Sequence, residues 1–194
     1  MEWTVGEGDA LLVVDVQNDF LPGGSQPVPD GDAVVGPIKH YIDLFAKTGK
    51  PVYFTRDWHP EDHCSFAAQG GPWSPHCVQG TDGAALCPDI SMPPGAVLIS
   101  KAKAASDDIY SGFRNTDLND QLHADGSVRL FVCGLATEYA VLQTVQDALE
   151  RDFQVRLLTD AVRAVNLAPD DGARAEEKML ALGAIPATLN GFRE

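Results

Sequence analysis

Residues 128–144, VRLFVCGLATEYAVLQT, join an apolar run to an amphipathic segment through a short turn. The run VRLFVCGL is rich in β-branched and other large apolar residues, which is typical of a strand buried on both faces. The following segment places Val141, Val145 and Ala148 at helical spacing, so these residues form one inward-facing stripe. A buried strand that leads directly into a helix is the repeating unit of an α/β fold.

Four further apolar runs repeat this pattern along the chain: ALLVVD (10–15), PVYFTRD (51–57), AVLISK (96–101) and FQVRLLTD (153–160). Helices are predicted over about 31–48, 114–124, 138–151 and 169–182, with PATL (186–189) as an edge strand. We therefore expect an α/β domain with three αβα layers and a central, mainly parallel sheet. The long irregular segment over roughly 57–95 is expected to be functional.

Length and composition restrict the class of protein. A chain of 194 residues that is 44% hydrophobic supports one compact core, so residues 1–194 are predicted to form a single domain. The formal net charge of −14, with no basic cluster, argues against nucleic acid and anionic membranes as partners. No leader sequence or membrane-spanning run is recognisable, and the four cysteines are sparse, so we expect a cytoplasmic protein with reduced thiols. A homo-oligomer is left open.

Polar residues fall at the ends of the predicted strands. Successive strands end at Asp15, Asp57, Lys101, the turn 134–140 and Asp160. Because ligands of open α/β sheets sit beyond the carboxyl ends of the strands, we expect these residues to converge on one crevice. Any single charge after an apolar run can simply mark the strand leaving the core. Asp160 by itself is interpreted as a cap or turn residue.

The predicted crevice contains the elements of nucleophilic catalysis except the nucleophile. A carboxylate at Asp15 and an ammonium at Lys101 would each favour the charged form of the other, and such a pair can activate a nucleophile. The first turn of the helix near 138 is the natural place for that nucleophile, because a helix N-terminus lowers a thiol pKa and its N–H groups can bind an oxyanion. Ala140 lies in this turn and offers no reactive atom.

A second cluster lies in the long segment. Asp57 and His59 are spaced D-x-H directly after a strand, and His76 follows after a turn-rich excursion. One carboxylate and two imidazoles suit zinc, iron(II) or manganese with open positions for water. Histidines in such loops are more often structural, so the spacing alone is a weak signal. For His63 a structural role is favoured over recruitment as a further ligand.

Four motifs in order resemble the nicotinamidases of the isochorismatase-like cysteine hydrolase superfamily. They are VVDVQNDF (13–20), DWHPEDHCSF (57–66) with WSPHCVQGT (73–81), SKA (100–102) with DIYSGF (108–113), and VCGLATEYAVLQT (132–144). The resemblance covers about residues 10–166 and implies the isochorismatase-like hydrolase fold. It implies hydrolysis of nicotinamide to nicotinate and ammonia, usually with activity on pyrazinamide, through an Asp-Lys-Cys triad and a thioester.

The resemblance also implies roles for individual residues. Asp15 would be the general base and Lys101 the triad lysine. The backbone N–H groups of Ala136 and residue 140 would form the oxyanion hole, and a cis peptide bond would precede Ala136. As written, however, the chain has alanine at position 140, where the family motif has its cysteine.

The metal and the substrate contacts are implied in the same way. Asp57, His59 and His76 match the ligands of one divalent metal ion, which holds waters and the pyridine nitrogen of the substrate. Four aromatic residues could sandwich a flat ring, with ordinary core packing as the alternative: Phe20, Trp73, Tyr110 and Tyr139. The resemblance favours the pocket for the first two.

Ala140 excludes the thioester intermediate in this chain. Removal of the nucleophile from a coupled triad lowers turnover on the order of 10⁶-fold. Cys133 is a poor substitute because a thiol inside an apolar strand is buried with a raised pKa. An engineered Cys→Ala change that traps bound substrate is the favoured explanation, and a natural pseudoenzyme that binds ligand without turnover is the alternative.

Two other functions stay open at the level of sequence. One is a different hydrolase of the superfamily, acting on isochorismate or an N-carbamoyl amide, although those branches generally lack the D-x-H metal loop. The other is a binding or assembly module without catalysis. The sequence determines neither the metal nor the preferred amide.

Overall fold

Six strands form one sheet in the computed structural model, which describes residues 2–193. In chain order they are β1 (Asp9–Val14), β2 (Val52–Asp57), β3 (Val97–Lys101), β4 (Arg129–Leu135), β5 (Gln154–Arg163) and β6 (Ile185–Ala187). Their order across the sheet is β3-β2-β1-β4-β5-β6, and all neighbouring pairs are parallel. The predicted α/β fold with a central parallel sheet is confirmed.

Helices cover both faces of this sheet. They are α1 (Val35–Lys47), α2 (Leu118–Ala124), α3 (Leu142–Glu150) and α4 (Asp171–Ala181). Side chains alternate along a strand, so Leu11 and Val13 of β1 pack in the core that contains α1, whereas Leu12 and Val14 pack in the opposite core with α2, α3 and α4. None of the helices within residues 2–193 has the length and apolar character needed to cross a membrane.

Three predicted helices begin differently from the expectation. The first starts with a 3₁₀ turn at Gly31–Val34 before α1. The second was predicted from 114 but starts at Leu118, because Asn115 adopts a left-handed φ of 53° that a right-handed helix excludes. The third is preceded by a π-helical turn over Thr137–Val141. Such π turns often occur at functional sites.

The strand order places a crevice between β1 and β4. The chain leaves β1 through α1 toward β2 on one face, and leaves β4 through α3 toward β5 on the other. The two connections therefore separate beyond the carboxyl ends of β1 and β4. Ligands of open α/β sheets bind at this switch point.

Candidate active site and metal centre

One cavity lies beyond the carboxyl ends of β1, β2 and β4. The residues lining it are Asp15, Phe20, Gln26, Val28, Asp57, Trp73, His76, Tyr110, Leu135, Ala136, Tyr139, Ala140 and Val165. Most of the predicted site residues are among them. Gln26, Val28 and Val165 were not predicted, because nothing in the local sequence marks them as facing a site.

Three charged side chains meet at the base of the cavity. Lys101 Nζ lies 2.7 Å from Asp15 Oδ2 and donates a hydrogen bond of 2.5 Å to Asp57 Oδ1. The Thr55 hydroxyl donates to Asp15 Oδ1 at 2.6 Å, whereas Asp15 Oδ2 accepts no aligned hydrogen bond. Lys101 is completely buried and both carboxylates are nearly so, which makes this an ion-pair network with little water.

The network shifts the pKa of each member. Burial raises the pKa of Asp15 to about 6, with the Lys101 ammonium opposing this and the Asp57 carboxylate adding to it. Burial lowers the pKa of Lys101, but the two carboxylates outweigh burial and leave that pKa above its ordinary value. For Asp57 the burial effect is outweighed by Lys101 and the nearby histidines, so its pKa is lowered. Asp15 is therefore the carboxylate of the pair that takes up a proton more readily.

Backbone geometry brings Asp15 and Asp57 together. Asp15 directly follows β1 with a φ of 48°, which turns the chain away from the strand direction. The buried side chain of Gln17 then forms two hydrogen bonds with the backbone of Asp57, one to its carbonyl and one from its N–H, both 2.8 Å. Gln17 lies in the VVDVQNDF motif (13–20). Its link to β2 depends on long-range packing, which local spacing does not report.

The segment 134–141, called the elbow below, connects β4 to α3. Gly134 has a φ of 116°, and a Cβ there would collide with the carbonyl of Val14, so only glycine allows β4 to approach β1 this closely. The peptide bond between Leu135 and Ala136 is cis, as the resemblance implied. Ala140 is buried in the π-helical turn, and both Ala136 and Ala140 border the cavity.

The Glu138 carboxylate on the elbow fixes the loop that contributes Val165 to the cavity wall. Glu138 accepts hydrogen bonds from the backbone N–H groups of Val165 (3.2 Å) and Asn166 (2.7 Å). Asn166 in turn accepts from the N–H of Gly172 at the start of α4. Glu138 therefore ties the elbow to the loop that presents Val165 to the cavity. The acidic position in the VCGLATEYAVLQT motif was a signal for this contact that the sequence interpretation did not use.

The metal trio lies in the segment 57–78, called the metal loop below. One ligand atom from each of Asp57, His59 and His76 lies within 4.8 Å of the others, and all three residues are buried. Both histidines use Nδ1 to contact a backbone carbonyl, His59 to His76 at 2.9 Å and His76 to Ser74 at 2.8 Å. This arrangement fixes the rings and leaves each Nε2 for a metal. Metal–ligand bonds of about 2.0–2.2 Å would require the ligand atoms to move closer together.

His63 is placed differently. Its Nδ1 contacts the Ser65 hydroxyl at 2.7 Å and its Nε2 contacts the Asp107 carbonyl at 3.0 Å. The ring packs against that of His59 with centroids 4.2 Å apart, but His63 is not part of the metal trio. Both nitrogens are occupied, which agrees with the favoured structural role.

The four predicted aromatic residues all border the cavity. The indole N–H of Trp73 donates to the Tyr110 hydroxyl at 2.9 Å, and both rings contact the ring of Tyr139. Phe20 packs against the metal-loop residue His76 with ring centroids 5.5 Å apart. Three linked rings thus stand on one side, and Phe20 stands next to the metal trio.

Asp160 does not join the others, so the expectation of its convergence is wrong. The strand β5 continues past it to Arg163, and Asp160 lies within the strand rather than at its end. It accepts hydrogen bonds from the Tyr41 hydroxyl (2.7 Å) and from the Leu189 N–H (2.8 Å). Its role is to hold α1 and the C-terminal segment against the sheet.

Comparison with known proteins agrees with the fold. The model of the isochorismatase domain matches residues 9–190. The nicotinamidase of Escherichia coli (strain K12) is 38% identical over 95% of this chain and 97% of its own length.

Two solved structures are similar throughout. A pyrazinamidase of Pyrococcus horikoshii in complex with zinc has a TM-score of 0.90 and 46% identity, covering 94% of this chain and 99% of that one. PnC1 from L. infantum in complex with nicotinate has a TM-score of 0.91 and 35% identity, covering 100% of this chain and 99% of that one. Because the family model matches almost the whole chain, this chain belongs to the isochorismatase family.

Proposed function

We propose that this chain binds nicotinamide beside a divalent metal ion and is the alanine-bearing, inactive form of a nicotinamidase. The observation that carries the proposal is convergence on one cavity. Asp15, Asp57, His76 and Ala140 all border it, and Lys101 joins the two carboxylates from beneath. The similarity to a nicotinamidase and to a pyrazinamidase supports an amidohydrolase with this class of substrate.

The cavity suits a small flat amide. Aromatic rings supply stacking surface, which contributes about 0.5–1.5 kcal/mol for each well-placed pair beyond area burial. The trio of Asp57, His59 and His76 would hold one divalent ion, with zinc, iron or manganese as candidates. When bound, this ion would supply a Lewis acid for the ring nitrogen of the substrate and for water. The ring would then lie with its amide directed toward Asp15 and position 140.

With a cysteine at position 140, the reaction would proceed through this chain's own residues. The Asp15 carboxylate takes the thiol proton, and the thiolate attacks the amide carbon. The N–H groups of Ala136 and residue 140 stabilise the negative oxygen of the tetrahedral intermediate. Asp15 returns the proton to the nitrogen, the C–N bond breaks and ammonia leaves. Asp15 then takes a proton from water, and the resulting hydroxide attacks the thioester carbon. The C–S bond breaks, Asp15 returns the proton to the sulfur at position 140, and the acid product leaves as nicotinate after it ionises.

In the chain as it stands, the methyl group of Ala140 cannot attack the amide. Binding requires the metal, the aromatic walls and the oxyanion donors, none of which involves the missing sulfur. We therefore expect the metal-loaded chain to bind nicotinamide and to release no ammonia from it.

The decisive experiment restores the nucleophile. Ala140→Cys should raise ammonia release from nicotinamide on the order of 10⁶-fold, because the members of a coupled triad act as a unit. Ala140→Ser is the matched control, since its hydroxyl is a far weaker nucleophile at neutral pH and should leave turnover near that of the alanine chain. A folded, metal-loaded Ala140→Cys protein that releases no ammonia from nicotinamide or pyrazinamide would refute the proposal.

Ala140 itself favours a second candidate, a natural binding protein without catalysis. The genomic codon for position 140 separates the two: cysteine indicates a replaced nucleophile and alanine indicates a natural pseudoenzyme. Both candidates require the metal-loaded chain to bind nicotinamide. Calorimetry that detects no binding would therefore contradict both of them. A hydrolase for isochorismate or an N-carbamoyl amide is supported only if metal analysis of the purified protein finds no divalent ion.

A further inference from the structure

The turn after β1 contains a carboxylate that the proposed mechanism does not use. Asp19 Oδ2 accepts a hydrogen bond of 2.7 Å from the backbone N–H of Cys77, and Oδ1 accepts one of 3.1 Å from the N–H of Ser25. Its backbone carbonyl accepts a further bond from the N–H of Gln26 at 3.0 Å. Asp19 therefore connects the segment leading to the cavity residue Gln26 with the end of the metal loop.

Cys77, the partner of Asp19, has an unusual backbone. Its φ of 48° lies in the left-handed region, where a residue with a side chain is disfavoured unless its surroundings hold it. Cys77 is also fully buried and directly follows the metal-trio residue His76. A charged acceptor for its N–H offsets part of the conformational disadvantage, because hydrogen bonds to ionised groups are stronger than neutral ones.

The same stretch of backbone positions both histidines. The carbonyl of Cys77 accepts a hydrogen bond of 3.0 Å from the N–H of His59, and the carbonyl of His76 contacts His59 Nδ1 at 2.9 Å. Any rotation of the peptide units around Cys77 would therefore move the His76 ring and the acceptor that orients the His59 ring. Asp19 is the side chain that fixes these peptide units from the outside.

Gly83 supplies an independent observation about Asp19. A Cβ at position 83 would collide with the Asp19 carboxylate, with both carboxylate oxygens as its nearest neighbours. The φ of Gly83 is not in the left-handed region, so a side chain there would conflict with the present position of the Asp19 carboxylate rather than with the backbone conformation. The neighbouring backbone is fixed as well, because the side-chain amide of Asn18 donates to the carbonyl of Asp82 at 2.8 Å. The carboxylate thus occupies a space that position 83 leaves open.

We propose that Asp19, accommodated by Gly83, is a positioning residue that holds the Cys77 peptide and thereby sets the two histidines for metal binding. This inference rests on the metal site of the proposed function. Loss of an outer-shell partner of a ligand typically lowers metal affinity about 10–100-fold, and we expect an effect of this size.

The test measures zinc affinity of the chain as it stands, by titration against a competing chelator. Asp19→Ala and Gly83→Ala should each weaken zinc binding about 10–100-fold. If Gly83 acts only by leaving room for the carboxylate, then Gly83→Ala in the Asp19→Ala background should add nothing further. Asp32→Asn, which removes an exposed acid from the same side of the molecule, is the matched control for charge and should leave zinc affinity unchanged.

The outcomes separate this inference from the metal site itself. Asp19→Ala with unchanged zinc affinity, alongside weakened binding by His76→Ala, overturns the role of Asp19 and leaves the metal site intact. Unchanged zinc affinity in His76→Ala overturns the metal site and this inference together. Should Asp19→Ala fail to fold, Asp19→Asn gives the answer, because its amide can accept only one of the two backbone hydrogen bonds.

Discussion

The metal loop (57–78) and the elbow (134–141) face the same cavity but differ in completeness. The metal loop presents all three candidate ligand side chains, which are buried, and backbone carbonyls fix both histidine rings. The elbow has the backbone shape of the motif, with the cis peptide before Ala136, but no reacting atom at Ala140. Under the proposed function, ligand binding and turnover would depend on separate segments, so one could be lost while the other remains.

The largest expected change in turnover comes from removing the proposed general base, Asp15. In the Ala140→Cys background, Asp15→Asn should lower ammonia release by about 10³-fold or more, because the general base of a coupled triad is removed. Asparagine tolerates the left-handed φ of position 15, so the fold should persist. Zinc content and nicotinamide affinity should stay within about twofold. If this variant lost nicotinamide binding together with turnover, binding and turnover would not depend on separate segments.

The next effect concerns the metal loop. His76→Ala should weaken metal binding by more than the roughly 10–100-fold expected for an outer-shell partner, because it removes a ligand itself. His63→Asn is the matched control, since both nitrogens of His63 are already engaged by Ser65 and Asp107. Metal content after dialysis, measured by elemental analysis, checks both. Equal metal loss in the His63 variant would contradict the assignment of Asp57, His59 and His76 as the metal ligands.

The turnover of Ala140→Cys is expected to depend on pH through the ionisation of Asp15. Burial, opposed by Lys101, raises its pKa to about 6, and only the ionised carboxylate accepts the thiol proton. Turnover of Ala140→Cys should therefore be constant above this pKa and fall about tenfold for each pH unit below it. Ammonia release from pH 4.5 to 8, with metal content measured at each pH, provides the profile. A profile flat down to pH 4.5 with metal retained would contradict Asp15 as the base.

The smallest expected effect concerns Cys133. Its thiol is fully buried in β4, and burial holds its pKa above the ordinary value, so it cannot replace the missing nucleophile. Cys133→Ala should leave the residual turnover of the alanine chain unchanged and lower stability by about 1 kcal/mol. Residual ammonia release and thermal melting measure the two. Residual turnover that disappears in this variant would mean that Cys133 supplies a nucleophile from β4.

The fold follows from local patterns to an unusual extent. The five main strands and four helices lie where apolar runs and helical spacing predicted them. The signal is strongest for the central strands β1 and β4, which are buried on both faces and almost continuously apolar. The structure departs from the predicted helix starts where a single residue adopts a conformation that the local pattern does not indicate. Asn115 delays α2 through its left-handed φ, and Thr137 begins a π-helical turn instead of a regular helix.

The candidate site was predictable to the extent that its residues lie in motifs. The trio, Asp15, Lys101 and Ala140 stand at strand ends or in a recognisable loop, and the structure brings them together; their roles stay predictions. Gln17, Glu138 and Asp19 were missed as linking residues, since each bonds to backbone far away in sequence. Asp160 was expected in the crevice but lies within β5, because strand length was misjudged.

The sequence by itself determined the alternation of strands and helices, the ligand types and the absence of a nucleophile at Ala140, since these depend on residue identity and short-range spacing. Only the tertiary structure decided that Lys101 joins Asp15 and Asp57, that Asp160 is excluded, and which walls the cavity has. The physical reason is that these features arise from strand order and from hydrogen bonds across dozens of residues. Parallel strands bring distant segments to one edge of the sheet, and local sequence carries no record of which segments meet there.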